Sequence, residues 1–457
     1  MTDAAATVGA PSPPTALPSL AVATRVWLKI GCLSFGGPAG QIALLHREVV
    51  DQRRWISDQR FLHALNFCSL LPGPEAQQLA TYLGWLLHGA KGGLIAGLAF
   101  IVPGALVMLA LSTLFVTAGD VPAVDALFFG LKCAVLVIVF EALLRVGRRA
   151  LHGPMSWLIA VLAFTALYFF HVPFPVVILA AALAGAMAPT RFTAGTHAAA
   201  KAGPPAILDA VMAADPGHAQ RLAKSARRAG VIALGAWAAP VALLLPMAGV
   251  YADVVWFFSK MAVVTFGGAY AVLAYMAQEA VQGYGWLTAP EMLTGLGLAE
   301  TTPGPLILVL QFVGFLAGYG AGSSPAGLAG AVAASVLTLW VTFAPCFAFI
   351  FLGAPAIERL REQRALAGAL AAITAAVVGV IANLSLWFGL RVIFAEVQTI
   401  KWGVLAVDLP ALESADWLAL GIALLATLAL FRFRLGVLKT LCLCSVAGLV
   451  LKAGLGW

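Results

Sequence analysis

Two short motifs break apolar stretches of this chain, and their residue types suit the binding of an anion. The first is Pro72–Pro74, in "LPGPEAQQLATYLGW" (71–85), which places two prolines and a glycine beside a glutamate and two glutamines. Proline ends a helix, and broken backbone at membrane depth is tolerated only where protein or water surrounds it. A helix that starts there exposes unpaired N–H groups and about +0.5 of a charge. The motif therefore predicts a helix N-terminus directed at a ligand.

The residues around the motifs define a candidate substrate-binding site. Glycines let backbone approach a ligand closely, and a proline in a helix's first turn loses no needed hydrogen bond. Four such helix N-termini supply about +2, which would balance a dianion without a buried arginine. Glutamines and threonines nearby can donate hydrogen bonds, although some of them must satisfy freed backbone groups. The candidates are Gly36, Gly37, Pro38, Pro72, Gly73, Pro74, Gln77, Gln78, Gly267, Gly268, Thr301, Thr302, Pro303, Gly304 and Pro305. The alternative is that these glycines and prolines only kink packed helices.

Four charged residues near the motifs are candidates for charge attraction or ion coupling. Glu75 follows the first Pro-Gly-Pro and Glu300 precedes the second. Either carboxyl group could carry a proton, although Glu75 also suits the first turn of a helix for its dipole alone. Lys29 and Lys260 lie about two turns before Phe-Gly-Gly motifs, where they could attract an anion or extend to the membrane surface.

The composition places these motifs in a membrane protein. Of the 457 residues, 62% are hydrophobic and 10% are charged, and long apolar runs of this kind indicate transmembrane helices. The net charge of +7 fits basic cytoplasmic loops better than nucleic-acid binding. The six cysteines have no metal-binding spacing, and no GxxxxGK[ST] motif suggests ATP binding. We expect no cofactor and no enzymatic activity.

The chain contains an internal duplication. Phe-Gly-Gly occurs at 35–37 and 266–268, and Pro-Gly-Pro occurs at 72–74 and 303–305, so both motifs recur at an offset of 231 residues. Three further pairs keep this offset, namely Lys29 and Lys260, Glu48 and Glu279, and Trp55 and Trp286. Chance would not hold one register across five features.

The basic residues of the matched loops indicate that the two halves have opposite orientations. The segment 47–60 has four arginines, whereas its counterpart 279–291 has no lysine or arginine. The next pair reverses this, since 119–125 has none and 358–364 has three arginines. By the positive-inside rule this pattern predicts an inverted-topology repeat, which is common among secondary transporters.

The same rule constrains the broken segments. The basic segments 47–60 and 145–152 should both be cytoplasmic, yet three apolar runs separate them. One run must enter and leave on one side, and 59–88 is the best candidate, with its tip at Pro72–Pro74. A second hairpin over 20–47 would have its tip at Phe-Gly-Gly. The alternative is that these runs span the membrane as broken helices.

These patterns predict an all-α polytopic membrane protein built from two homologous halves in an inverted-topology repeat, with broken or re-entrant helices at both motifs. We expect a disordered tail over 1–18, which lacks the basic region of a signal peptide. A first transporter repeat should cover 19–188, a cytoplasmic linker 189–228, and a second, inverted repeat 229–457.

Four stretches strongly resemble the chromate transporter family, in particular its long two-domain bacterial members. They are "FGGPAGQIALLHREVVDQRRW", "LLPGPEAQQLATYLGW", "FGGAYAVLAY" and "AETTPGPLILVLQFVGFLAGY". The likeness covers roughly residues 20–188 and 250–385. It implies export of chromate across the bacterial inner membrane, with sulfate as the close structural analogue, driven by the membrane potential or proton gradient. The second Phe-Gly-Gly precedes Ala269 where the first precedes Pro38, so the two tips need not be equivalent.

The expected function is therefore a secondary transporter that exports chromate and confers chromate resistance. Its partners would be a chromate-like or sulfate-like oxyanion and the lipid bilayer, without nucleic acid, and a homodimer is compatible with the sequence. The main alternative is a proton-coupled importer of sulfate or another oxyanion. A membrane enzyme acting on a lipid-linked phosphate is disfavoured, because no histidine lies near either tip together with a nucleophile.

Overall fold

The computed structural model describes residues 16–35, 37–192, 206–215, 217–264, 266, 269–320, 327–354, 364–403 and 405–453. Helices dominate this part of the chain, which confirms the helical prediction. The described residues also include a hairpin of antiparallel strands, β1 (Val397–Trp402) and β2 (Leu405–Pro410), which the sequence analysis did not predict.

The first half consists of short broken helices followed by longer ones. The broken part contains α1 (Leu20–Leu33), α2 (Gly37–His46), a π-helical turn (Arg47–Gln52) and α3 (Asp58–Cys68). The rest is formed by α4 (Glu75–Ala118), α5 (Pro122–Ala150), α6 (Pro154–Tyr168) and α7 (Phe174–Met187).

A connecting segment and the second half follow. The connection holds α8 (Ile207–Ala214) and α9 (His218–Leu244), so the predicted boundary at 229 falls inside α9. The second half contains α10 (Val250–Val264), α11 (Ala269–Gln278), a π-helical turn (Glu279–Gly283), α12 (Ala289–Thr301), a 3₁₀ turn (Leu306–Leu308) with α13 (Val309–Gly320), α14 (Leu328–Gly353), α15 (Arg364–Ile393), α16 (Trp417–Thr427) and α17 (Val437–Gly448).

The internal repeat is visible in the order and type of the elements. Shifted by 231 residues, α1, α2, the first π-helical turn and α3 fall on α10, α11, the second π-helical turn and α12 within two residues. Even unusual backbone recurs, because Gly73 and Gly304 both have positive φ, at 119° and 91°. The duplication predicted from the sequence is confirmed.

The long α4 is two helices folded against each other. His88 and Gly89 have non-helical backbone, with φ of +63° at Gly89. A Cβ on Gly84 would lie 2.5 Å from the Gly92 carbonyl oxygen, whereas residues eight apart in a straight helix are separated by about 12 Å. Residues 75–87 therefore return alongside residues 90–118, and only the second part is long enough to span a membrane.

The second half repeats this tight return with α13 and α14. A Cβ on Gly314 would lie 2.0 Å from Thr338 Oγ1, and one on Gly318 would lie 2.6 Å from the Gly330 carbonyl oxygen. Small residues thus let the two backbones approach closely, as in membrane helix pairs.

The broken helices of the first half enter and return on one side. The start of α1 meets the turn of α4, where the Pro18 carbonyl oxygen lies 2.6 Å from His88 Nε2. Arg60, at the start of α3, pairs with Asp209 of α8, and the indole of Trp85 donates to the Leu222 carbonyl of α9 over 3.3 Å. Because both ends of the α3–α4 unit contact the same connecting segment, these contacts favour the re-entrant hairpin over the spanning alternative.

Five described helices are long and apolar enough to cross a membrane. They are Glu75–Ala118, Pro122–Ala150, Gln220–Met247, Leu328–Gly353 and Ala365–Ile393. The membrane character predicted from the composition is confirmed.

Candidate functional site

The first Pro-Gly-Pro turn is buried against the second half. Gly73 has a φ of +119°, which disfavours any side chain, and a Cβ there would lie 2.8 Å from Cys346 Sγ of α14. Gln78 reaches back over the turn and donates its amide to the Pro72 carbonyl over 2.6 Å. Pro74 is the N-cap of α4, one position before the first turn where the sequence placed it.

The second Pro-Gly-Pro turn is held by the first half. The Gly304 N–H donates to the Ser34 carbonyl over 2.9 Å, and the Gly304 carbonyl accepts from Gln41 Nε2 over 2.6 Å. The Pro303 carbonyl presses on α4 so closely that a Cβ on Gly104 would lie 1.9 Å from its oxygen. Pro305, like Pro74, is an N-cap residue. The turn therefore sits between the first Phe-Gly-Gly segment and α4.

The Phe-Gly-Gly motifs are partly described. Gly37 starts α2 with a φ of +74°, and Pro38 lies in the first turn of that helix. This confirms a chain break followed by a helix N-terminus at the first motif. Gly36, Gly267 and Gly268 lie outside the described residues.

Both Pro-Gly-Pro turns contact helices beside an internal proline. Gly104 follows Pro103 in α4, and Cys346 follows Pro345 in α14. Each proline removes one helix hydrogen bond and leaves a carbonyl without its helical donor. Phe347 of α14 packs on Gly97 of α4, where a Cβ would lie 2.4 Å from the ring, so the two helices meet near these prolines. The turns therefore converge on the contact between the halves.

The side-chain amides of the buried glutamines form hydrogen bonds within the protein, two of them to backbone carbonyls and one to a threonine hydroxyl. Gln77 Nε2 donates to Thr81 Oγ1 over 3.0 Å, and Gln311 Nε2 donates to the Ala105 carbonyl over 3.0 Å. The side-chain Oε1 atoms of Gln77, Gln78 and Gln311 are buried and have no hydrogen-bond partner among the described residues. The NH₂ groups of Gln77 and Gln311 each keep a second hydrogen for a ligand, whereas the Gln78 side chain also forms a hydrogen bond with Cys346. The three oxygens require donors.

The threonines before the second turn bond to their own helix. The Thr301 hydroxyl donates to the Leu298 carbonyl over 2.8 Å, and the Thr302 hydroxyl donates to the Ala299 carbonyl over 3.0 Å. In this conformation both hydroxyl groups donate to backbone carbonyls near the end of α12.

The candidate charged residues differ in their surroundings. Glu300 is buried, and Glu75 is partly buried at the first residue of α4. Lys29 pairs with Glu48 over 2.8 Å, while Lys260 lies 5.6 Å from the ring centroid of Tyr275. Between Lys260 and Glu279, both of which the structure describes, no ion pair forms.

Glu48 is the centre of a small ion-pair cluster at the edge of the first hairpin. Its side chain is 2% exposed and accepts hydrogen bonds from Lys29 over 2.8 Å and from Arg53 over 2.5 Å. Burial alone would raise the pKa of Glu48, but these two cations hold the pKa below its ordinary value. Lys29 is thus engaged by a carboxylate.

Several residues that contact the Pro-Gly-Pro turns were not predicted from the sequence. Ser34, Gln41, Gly104 and Cys346 all contact the Pro-Gly-Pro turns. The prolines at 103 and 345, which each interrupt a long apolar helix, could have directed attention to the residues that follow them, Gly104 and Cys346. Gln41 gave no such signal, because the residue 231 positions later is Val272. Among the described residues, no group of three or more His, Cys, Asp or Glu side chains could hold a metal ion.

These features define a class of protein. A polytopic helical membrane protein with two repeated halves, whose broken helices meet near the contact between the halves, has the architecture of a transporter. The sequence profile of the chromate transporter family matches residues 22–186 and 252–450. The chain belongs to the chromate transporter family.

Curated relatives agree with this membership. The chain is 35% identical to a chromate transport protein of Pseudomonas aeruginosa, over 82% of both chains. It is 27% identical to a chromate transport protein of Cupriavidus metallidurans, over 78% of this chain and 79% of the relative. A probable chromate transport protein of Synechococcus elongatus is 25% identical over 85% of this chain and 89% of its own. No solved structure matches this chain.

Proposed function

We propose that this protein is a secondary transporter that exports chromate across the bacterial inner membrane and so confers chromate resistance. The observation that carries the proposal is that the family match covers both repeats and that the Pro-Gly-Pro turns of both repeats meet the opposite half near Pro103 and Pro345. The relatives named as chromate transport proteins support the same substrate.

The proposed binding groups are backbone N–H groups at the helix starts. In α4 the Gln78 N–H already donates to the Pro74 carbonyl, so the N–H groups of residues 75–77 have no acceptor within the helix. Together with the start of α2 at Gly37, they would offer hydrogen bonds and partial positive charge to an oxyanion. The unpartnered glutamine oxygens would face water or a protonated group rather than the anion itself.

The two halves would provide alternating access. Each Pro-Gly-Pro turn is packed on a helix of the other half, so rocking one half against the other would move both turns relative to the site. The tight helix returns at Gly84–Gly92 and Gly314–Thr338 would keep each half rigid during that motion.

The membrane potential favours export of a dianion. One charge crossing about 100 mV is worth about 2.3 kcal/mol, so expelling a dianion from a negative interior gains about 4.6 kcal/mol. That free energy sustains a gradient of more than about a thousandfold without a coupling ion. Import would need about three cotransported cations to become favourable.

A proton-coupled importer of sulfate or another oxyanion is the second candidate. The buried Glu300 and the partly buried Glu75 beside the two turns favour it, because either carboxyl group could carry a proton inward.

The test is radiolabelled chromate uptake into everted inner-membrane vesicles that contain or lack the protein. Uptake that requires respiration, collapses with an ionophore and is inhibited by excess sulfate would support export through an oxyanion site. Accumulation in right-side-out vesicles, with none in everted ones, would overturn the direction and favour the importer.

A further inference from the structure

A cluster of arginines lies where α5 ends beside the turn between α16 and α17. Together with Glu141, it lines a cavity of about 360 Å³. Glu141 forms an ion pair with Arg145, which neutralises one of these charges. The arginines of the cavity are Arg145, Arg148, Arg149 and Arg434.

Two further arginines of this cavity, Arg148 and Arg434, have no carboxylate partner in the part of the chain that the structure describes. Arg148 and Arg434 are exposed, and within the described ranges neither of them forms an ion pair. Arg149 forms no close ion pair there either, but it lies within electrostatic range of Glu75. Arg434 comes from a different element, at a turn position with a φ of +53°. Arginines from two elements thus face one concave space, an arrangement suited to a phosphate group.

The cavity continues into an apolar groove. Leu144 and Phe431 line both the basic cavity and a neighbouring groove of about 560 Å³ between α5, α15 and α16. Ten of the twelve residues that line the groove are apolar. The hydroxyls of Ser385 and Thr427, which are the other two, donate to carbonyls of their own helices over 2.8 Å. The groove therefore offers no free polar group to a water-soluble ligand.

The dimensions and position of this groove suit a lipid chain. Along α5 the groove runs from Leu136 to Leu144, which is about 12 Å of helix. Its rim carries exposed apolar side chains, including Phe140 and Leu424. α5 and α15 are both helices long and apolar enough to cross a membrane, so the groove lies on a surface that acyl chains would cover.

We propose that the cavity and groove form a binding site for one anionic phospholipid. The phosphate binds Arg148, Arg149 and Arg434, and one acyl chain occupies the groove between α5, α15 and α16. Basic pockets between transmembrane helices are a known way to hold anionic headgroups. A free phosphate would contact only the arginines. Because the cavity continues into an apolar groove, a lipid would fill both and is the favoured ligand. Arg149 lies within electrostatic range of Glu75, beside the first Pro-Gly-Pro turn, and the proposal does not rest on the direction of transport.

The test is native mass spectrometry of the purified full-length protein with phosphatidylglycerol or phosphatidylcholine added. We expect phosphatidylglycerol to remain bound where phosphatidylcholine does not. Arg148→Gln combined with Arg434→Gln should weaken phosphatidylglycerol binding by about tenfold or more, since it removes two charge-assisted contacts. The matched control combines Arg432→Gln and Lys439→Gln, two exposed basic residues close by that do not line the cavity, and should bind normally.

A second variant separates a lipid from a free anion. A Cβ on Gly389 would lie 3.6 Å from Leu136, so Gly389→Trp should fill the groove without touching the arginines. We expect it to weaken phosphatidylglycerol binding, and excess inorganic phosphate not to displace the lipid. Equal binding of both lipids, an Arg148/Arg434 variant that binds like its control, or displacement by phosphate with no effect of Gly389→Trp would each overturn the proposal.

Discussion

Gln41 of the first half donates its side-chain amide to the carbonyl of Gly304 in the second half, over 2.6 Å. Both groups are buried. This hydrogen bond joins α2 directly to the second Pro-Gly-Pro turn. With the bond from the Gly304 N–H to the Ser34 carbonyl, it connects the two halves at the place where the substrate is proposed to bind.

We predict that Gln41→Leu lowers both stability and transport. The change removes one hydrogen bond and leaves the buried Gly304 carbonyl without this donor, at a cost of about 1–3 kcal/mol. Thermal unfolding in detergent and chromate uptake into vesicles measure the two effects. Gln52→Leu is the control, because Gln52 is exposed. Equal unfolding temperatures and uptake for the two variants would contradict a role for this contact.

We expect Gly73→Leu and Gly304→Leu to stop transport while the protein still reaches the membrane. Both residues have positive φ, which strains any side chain by about 1–2 kcal/mol. In addition, a Cβ on Gly73 would lie 2.8 Å from Cys346 Sγ, and one on Gly304 would lie 3.0 Å from the Phe100 carbonyl oxygen. Uptake, normalised to the amount of protein in the membrane, is the measurement.

Gly235→Leu is the matched control for the glycine variants. Gly235 lies in α9 with exposed surroundings, and a Cβ there would meet nothing within 4 Å. It should transport normally. Normal transport by Gly73→Leu or Gly304→Leu would show that these turns do not need close backbone approach.

Much of this arrangement follows from the sequence, and the reason is the constant offset of 231 residues. A repeat copies backbone geometry together with residue types, so the broken helices, the positive φ values and even the π-helical turns recur. The contacts between the halves do not follow in this way. The residue that corresponds to Gln41 in the second repeat is a valine. The hydrogen-bond partner of Gln41 lies 263 residues away in the sequence. No local pattern marks a hydrogen bond between side chain and backbone over such a separation.

The roles of the predicted polar residues also depended on packing. Gln78 and Thr302 were predicted as oxyanion donors, and each makes a hydrogen bond to a carbonyl at a broken helix. A sequence shows that a donor is near a tip, but only the fold shows which acceptor is closest. Lys29 illustrates the same point. From its position before Phe-Gly-Gly it could attract a substrate anion or pair with a carboxylate, and only the fold shows that it pairs with Glu48.

The cluster around Glu48 predicts an acid-sensitive first half. Because the folded pKa of Glu48 is lowered, its ion pairs stabilise the protein above the ordinary glutamate pKa, and this stability is lost as pH falls through the lowered pKa. Glu48→Gln should lower the unfolding temperature at neutral pH. Because Lys29 and Arg53 are partly exposed, the loss of the charge-assisted hydrogen bonds should cost about 1.5–3 kcal/mol. The loss should diminish in acid, where the wild-type carboxylate is protonated.

Glu279→Gln is the internal control for that variant. Glu279 is the matched residue of the second half, and no ion pair joins it to Lys260. Thermal unfolding of both variants between pH 3 and pH 7 is the measurement. A pH profile of Glu48→Gln parallel to that of the wild type would refute the contribution of the cluster.

The contacts of α8 predict that the connecting segment stabilises the folded first half. Arg60 pairs with Asp209 at 2.5 Å, and the Ile207 N–H donates to the Arg54 carbonyl over 3.0 Å. Arg60→Ala and Asp209→Ala should each destabilise the protein, and the double variant should cost less than the sum of both. Because both side chains are partly exposed, we expect a coupling of about 0.5–1 kcal/mol, measured by a double-mutant cycle of unfolding. Strict additivity would mean that the pair does not hold the segment.

The carboxyl groups beside the two turns decide between export and coupled import. Export driven by the membrane potential needs no proton carrier. Glu75→Gln and Glu300→Gln should therefore keep uptake into energised everted vesicles within about threefold of the wild type, a change of about 0.7 kcal/mol.

For a proton-coupled importer, neutralising the carrier would abolish coupled uptake yet leave chromate binding intact. Binding measured in detergent, beside uptake in both vesicle orientations, separates these outcomes. A variant that binds chromate normally and fails only in pH-driven uptake would identify that glutamate as the proton carrier. If the wild type shows that uptake only in right-side-out vesicles, the proposed direction is overturned. Loss of both binding and uptake would instead place the carboxyl group in the fold of the turn, where Glu75 begins α4 and its charge is favoured by the helix N-terminus.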